Sequence, residues 1–230
     1  REGVGSLTLL ANGKVLLAGE HNTRTGAELY DPSTGKWTKT GSLITGRGGQ
    51  TTTLLRDGKV LAAGGIDYSL PGTPIYGSAE LYDPATEKWR ATGSMISPRF
   101  KHKAILLGNG LVLVAGGTPS EPSDDRALAS AELYDPVKGA WRGTGVLLQA
   151  REIASAVLLR DGRVLVAGGS VGSFGKYTAL AESEVYNPKS GMWSSTGDMK
   201  QARTQFTLTL LADGRVLAAG GSQPKYTPGG

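Results

Sequence analysis

The chain has 230 residues, no cysteine, 35 glycines and a formal net charge of +5 from 25 basic and 20 acidic residues. Lack of cysteine excludes disulfides, thiolate nucleophiles and Cys-ligated metals, and no apolar run approaches the roughly 18 residues of a membrane span. Lys and Arg are scattered with no block of five, so neither membrane insertion nor nucleic-acid binding is expected.

Glycine at about twice its usual share, without a collagen period, marks a turn-rich globular protein. The opening Arg1-Glu2-Gly3 has no signal-peptide layout, and the chain is expected to be soluble. Organisation shows in the aromatics: Trp37, Trp89, Trp141 and Trp193 recur every 52 residues, as do Tyr30, Tyr82, Tyr134 and Tyr186. A period near 50 belongs to repeat architectures, and its length fits a four-stranded propeller blade better than a helix pair. The expected units are residues 1–43, 44–95, 96–147 and 148–199, followed by a partial unit at 200–230.

In chain order, the second repeat opens with Gln50–Leu55, a Thr- and Leu-rich first strand. Arg56–Lys59 is a tight turn in which Gly58 can take positive φ. The segment Val60–Gly65, wholly apolar and ending on two glycines, reads as a short strand sandwiched between neighbouring sheets. Ser78–Asp83 is a third strand, and Pro84–Lys88 turns the chain into a fourth that carries Trp89. Asp83-Pro84 starts that turn, since Pro fixes φ and Asp bonds nearby amides. Tyr82 and Trp89 supply large apolar area between blades, so the recurring Tyr-Asp-Pro…Trp phrase is structural.

Double glycine, Tyr and Trp in this order, at Gly64, Gly65, Tyr82 and Trp89 and their equivalents, resemble the kelch repeat over the whole chain. The resemblance implies an all-β kelch-type β-propeller of four-stranded antiparallel blades, four complete and one half. Repeat one departs with Glu20 at the second glycine, and repeat four with Asn187 for the turn Asp. The style is similar to bacterial kelch arrays, which implies an extracellular or cell-surface setting. Gly19, Gly64, Gly116, Gly168 and Gly220 mark five second strands against four Trp hairpins. An unfinished blade leaves an open edge, so a longer propeller is expected, or strand complementation by a missing segment or another chain.

In a meander, the loops after strands two and four share one end. That end carries the variable segments 20–26, 66–77, 118–129 and 170–181. The other end carries stereotyped turns and looks like scaffold. Candidate ligand-binding aromatics on the variable loops are Tyr68, Tyr76, Phe174 and Tyr177, of the kind that stack on sugars or peptides. Arg47, Arg99, Arg151 and Arg203, also spaced by 52, open onto the same end and would suit carboxylate, sulfate or phosphate. Glu28, Glu80, Glu132 and Glu184 share the period, and a repeated Arg–Glu pair competes with ligand binding because a buried Arg needs a partner.

No catalytic residue, metal or cofactor is assigned. A copper radical oxidase site needs a Tyr–Cys crosslink and two His ligands; with no Cys, and His21 and His102 alone, it cannot be built. Glu152, Glu121 and His102 are nominal bases without a motif, and Glu121, Asp124 and Asp125 lack the spacing of a calcium loop. The expected role is non-catalytic recognition of a protein or glycan by the variable loops. The alternatives are a sialic-acid-epimerase-like carbohydrate-active enzyme using an Arg-lined funnel, and a structural subunit joined through the open edge.

Overall fold

The computed structural model describes residues 5–19, 25–119, 127–172 and 177–223. All regular structure among the described residues is β, as the short apolar runs between Gly- and Asp-rich turns dictate. In chain order the strands are β1 (Ser6–Leu9), β2 (Val15–Ala18), β3 (Ala27–Asp31) and β4 (Lys36–Lys39); β5 (Thr51–Leu54), β6 (Val60–Ala63), β7 (Ala79–Asp83) and β8 (Lys88–Thr92); then β9 (Lys103–Leu106), β10 (Val112–Ala115), β11 (Ala131–Asp135) and β12 (Ala140–Gly143). They continue as β13 (Ser155–Leu158), β14 (Val164–Ala167), β15 (Ser170–Val171), β16 (Thr178–Ala179), β17 (Ser183–Asn187) and β18 (Met192–Ser195), and end with β19 (Thr204–Leu210) and β20 (Val216–Ser222).

Four four-stranded sheets result, β1 to β4, β5 to β8, β9 to β12, and β13-β14-β17-β18. The described pairings are antiparallel, so these sheets are four-stranded antiparallel meanders of the kind expected for blades. β15 pairs with β16 in a separate small hairpin, and β19 pairs with β20 alone.

The turns close on the expected residues. Gly58 adopts φ +83°, its N–H donates to the Leu55 carbonyl at 3.1 Å, and Asp57 Oδ1 accepts from the Lys59 amide at 3.1 Å. At the second turn Asp83 Oδ1 accepts from Ala85 N at 2.9 Å. Asn187 Oδ1 accepts from Lys189 N at 3.0 Å in the same way, so the Asp-to-Asn departure is neutral.

Two compact bodies divide the chain: Arg1–Phe100 with Tyr134–Arg142, and Lys101–Leu133 with Gly143–Gly230. In the first, Leu10, Leu16, Ala27 and Leu29 pack with Val60 and Tyr82. In the second, Leu107, Leu113 and Leu147 pack with Val164, Val166, Tyr186 and Trp193. Burying each such aromatic stabilises by roughly 2–3 kcal/mol.

Each Tyr–Trp pair is tilted with ring centroids about 5 Å apart. Their polar atoms explain why the pair is not Phe–Phe, because both reach the preceding repeat. The hydroxyls of Tyr82, Tyr134 and Tyr186 bond Thr40, Thr92 and Thr144 Oγ1 at 2.6–2.7 Å. The indoles of Trp89, Trp141 and Trp193 donate to the carbonyls of Gly41, Gly93 and Gly145 at 2.7–2.9 Å. Those glycines are forced by close approach: a Cβ on Gly145 would lie 2.2 Å from the Gly191 carbonyl oxygen.

Candidate functional site

Arg47 leaves the chain between β4 and β5 and points inward, fully buried. Its Nη1 donates to the Gly64 and Ser78 carbonyls at 2.8 Å each. Nη2 donates to Ser78 Oγ at 2.9 Å and Glu80 Oε1 at 2.8 Å, and Nε donates to the Thr45 carbonyl at 3.3 Å. Glu80 is as fully engaged: its oxygens also accept the amides of Ile44 at 2.7 Å and Thr45 at 3.0 Å. Burial pulls the Arg47 guanidinium below its ordinary range while Glu80 opposes the shift. A guanidinium has so high a starting value that it stays charged.

Repeat four copies this arrangement. Arg151 Nη2 donates to Glu184 Oε1 at 2.7 Å, Nη1 to the Gly168 and Glu182 carbonyls at 2.8 Å, and Nε to the Gln149 carbonyl at 3.3 Å. Glu184 accepts the amides of Leu148 at 2.7 Å and Gln149 at 3.0 Å. The competing expectation, a repeated Arg–Glu pair within or between repeats, therefore describes Arg47–Glu80 and Arg151–Glu184, each within one repeat. Arg99 is fully buried too, and its Nε donates to the Ser97 carbonyl at 3.3 Å. Arg203 differs: it is half-buried, its Nη1 donates to the Gly220 carbonyl at 3.0 Å, and its buried Nε has no partner among the described residues.

The double glycine completes this lock. Gly65, Gly117 and Gly169 stand at positive φ, and their amides donate at 2.9–3.0 Å to the carbonyls of Arg99, Arg151 and Arg203 in the next repeat.

Two of the variable loops carry pairings among the described residues. In repeat two, Ile66 bridges both Gly48 and Ile75, and Asp67 Oδ1 accepts the Ser69 amide at 2.8 Å. In repeat four, Glu152 bridges Ser170 where the β15–β16 hairpin begins. Tyr68, Tyr76 and Tyr177 are half-buried. Tyr76 lies under the Arg47 guanidinium, 5.5 Å from Cζ to ring centroid, and burial with nearby Asp67 raises its phenol above the ordinary range. Phe174, Glu20, His21, Glu121, Asp124 and Asp125 lie outside the described residues. His102 and Glu152 are buried, and among the described residues no cluster of three or more His, Asp or Glu is placed to hold a metal.

One feature escaped the sequence reading. Ile44, Ile96 and Leu148 are exposed by 62%, 69% and 65%, while their chain neighbours Leu43, Met95 and Leu147 are buried. The amides of Ile44 and Leu148 are those that bond Glu80 and Glu184. The Arg–Glu clamp thus fixes the loop that turns an aliphatic side chain outward. The 52-residue period of these positions was the available signal, but an apolar residue beside another reads as core.

No family model matches the chain. Kelch-like protein 23 of Homo sapiens is 28% identical over 176 residues, 76% of this chain and 29% of that protein. F-box/kelch-repeat protein At1g16250 of Arabidopsis thaliana is 31% identical over 137 residues, 59% of this chain and 34% of that one. The chain thus spans about a third or less of these relatives. Among solved structures, a fungal alcohol oxidase of the AA5 family in complex with copper matches with TM-score 0.64 at 17% identity, covering 96% of this chain and 58% of that one. At that identity the likeness is one of fold alone.

Proposed function

From the premise that this chain is a kelch-repeat protein, we propose that it is a non-catalytic scaffold that binds a protein partner through the loops after each second strand and the Arg-bearing loops between repeats. The observation that carries this reading is the recurring exposed aliphatic at Ile44, Ile96 and Leu148, held outward by loops whose backbone is tied down. Preorganised apolar groups suit a protein surface, because little ordering entropy is lost on binding. Sugars and anions would ask for free guanidinium groups, whereas Arg47 and Arg151 direct theirs into the fold. The epimerase-like alternative loses its main support for the same reason.

A photo-crosslinking residue at position 96, compared with one at Val137 on the opposite turns, tests this in an extract of the source organism. Discrete protein adducts are expected from position 96 and not from 137. Equal adducts from both positions, or binding to a glycan array without protein adducts, would reject the reading.

A second reading rests on β20, which pairs with β19 and with no other strand among the described residues. That edge supports strand complementation by a segment from outside the described residues.

A further inference from the structure

The strand ends that carry the stereotyped turns hold the same cleft twice, with different chemistry. Three turns line it each time: those of β1–β2, β5–β6 and β7–β8 in the first body, and those of β9–β10, β13–β14 and β17–β18 in the second. The linings correspond in register. Asn12, Asp57, Asp83 and Ala85 line the first cleft where Asn109, Asp161, Asn187 and Lys189 line the second. The first has a volume of about 220 Å³ and the second about 580 Å³, and only the second exceeds the roughly 300 Å³ at which small-molecule pockets begin. Gly108 stands in the larger cleft in place of Ala11, and a Cβ on it would meet nothing within 4 Å.

Turn chemistry sets the charge of each cleft. A turn Asn or Asp aims an oxygen at the amide two residues on. Asn109 Oδ1 accepts the Leu111 amide at 3.1 Å, and Asn187 Oδ1 accepts the Lys189 amide at 3.0 Å. A carboxamide held that way presents its Nδ2 donors on the other side, and neither Nδ2 has a partner among the described residues. The carboxylate in this cleft, Asp161, is neutralised: its Oδ2 accepts Arg163 Nε at 2.8 Å and pairs with Nη2 at 2.7 Å. Bonds from the Arg163 amide and side chain hold that carboxyl below its ordinary range. Arg163 Nη1 and Lys189 Nζ remain as donors without an acceptor among the described residues. In the first cleft, Asp83 Oδ1 accepts the Ala85 amide at 2.9 Å, so a second anionic oxygen stands where Asn187 has donors, and Ala85 brings no cation.

The second cleft thus has donors on three separate turns, one positive charge in excess and no unpaired carboxylate, which makes it a receptor for an anion. Arg163 already gives its Nε–Nη2 edge, the one suited to a planar carboxylate, to Asp161. Single donors arriving from three turns match the three terminal oxygens of a tetrahedral anion. We propose that the cleft between repeats three and four binds a small phosphate or sulfate monoester. Lys189, Arg163 Nη1 and the Asn109 and Asn187 carboxamides hold the anion, and the space beside Gly108 and Pro188 takes a sugar-sized carrier. This site lies at the opposite end of the strands from the loops assigned to a protein partner.

The test titrates the 230-residue chain with glucose-6-phosphate, inorganic phosphate or acetate at matched ionic strength, and backbone amide NMR shifts give location and affinity. Glucose-6-phosphate should move the amides of Asn109, Gly162, Asn187 and Lys189 and leave those of Asn12, Gly58 and Ala85 in place. Asn187→Asp installs the residue that repeat two carries at Asp83, where the turn is intact. That variant should fold unchanged and bind about 10-fold more weakly, the scale of losing a hydrogen bond to a charged group, and Lys189→Ala should weaken binding to a similar degree. Inorganic phosphate binding as tightly as glucose-6-phosphate would overturn the monoester and leave the free ion as ligand. Equal shifts with acetate would overturn the choice of a tetrahedral anion. No shift at these amides, or unchanged affinity in Asn187→Asp, would overturn the site.

Discussion

The hexapeptide Val-Leu-Ala-Ala-Gly-Gly occurs twice, at 60–65 and at 216–221. In the first copy, β6, all four strand residues are buried; in the second, on β20, Leu217 is 50% exposed and none of the strand is fully buried. The composition is the same and the surroundings are opposite. A third strand carrying Glu and Tyr is present beside β6 and absent beside β20 among the described residues. An apolar strand and its Arg are therefore half of a junction, and among the described residues burial and the carboxylate partner come with the third strand.

The largest break in this comparison should come from the carboxylate. Glu184→Ala leaves Arg151 charged inside the fold and frees two loop amides. Stability measured by urea unfolding should fall by about 3–5 kcal/mol, the usual consequence of stranding one partner of a buried pair. Next, Gly145→Ala must displace the Gly191 carbonyl and should cost about 1–3 kcal/mol, whereas Gly197→Ala, facing open space, should stay within about 0.5 kcal/mol. Thermal melts of the two variants make that contrast direct.

Tyr186→Phe removes one bond to Thr144 and should lower stability by about 1 kcal/mol. Thr196→Val, where no tyrosine stands opposite among the described residues, should change it little. The smallest effect concerns Lys103, which holds on β9 the place of Thr51 on β5 and Ser155 on β13. Burial lowers its ammonium below the ordinary lysine range. The unfolded chain therefore binds more protons between the folded and unfolded values, and the contribution of Lys103 to stability rises as pH climbs through that window. Unfolding curves of Lys103→Thr against the parent at alkaline pH should show the parent gaining relative to the variant.

Much of the fold was legible because repetition averages out local ambiguity: four hairpins in one register leave one reading for Tyr82, Asp83 and Trp89. The indole and hydroxyl bonds to the preceding repeat were hidden, since composition does not tell a packed Tyr from a bonded one. So was a left-handed backbone position recurring at Gly49, Lys101, Ile153 and Gln205; only the glycine advertises it, and a β-branched Ile there is outside ordinary preference. The variable loops were read as individual because nothing in them repeats, and by the same token their internal bridges at Ile66 and Ser170 could not be inferred. The fate of the arginines needed a register: the shared period of Arg and Glu favoured a pair, within or between repeats, over a ligand, and β7 and β17 then placed Glu80 and Glu184 in the same repeats as Arg47 and Arg151.

The central claim is that the recurring Arg is a strut wherever a third strand is present. Urea unfolding of Arg151→Gln and Arg203→Gln, measured side by side, tests it most directly. The expected result is a loss of about 3–5 kcal/mol for Arg151→Gln and of less than about 1 kcal/mol for Arg203→Gln. Equal losses at the two positions, or a larger loss at Arg203, would contradict the account.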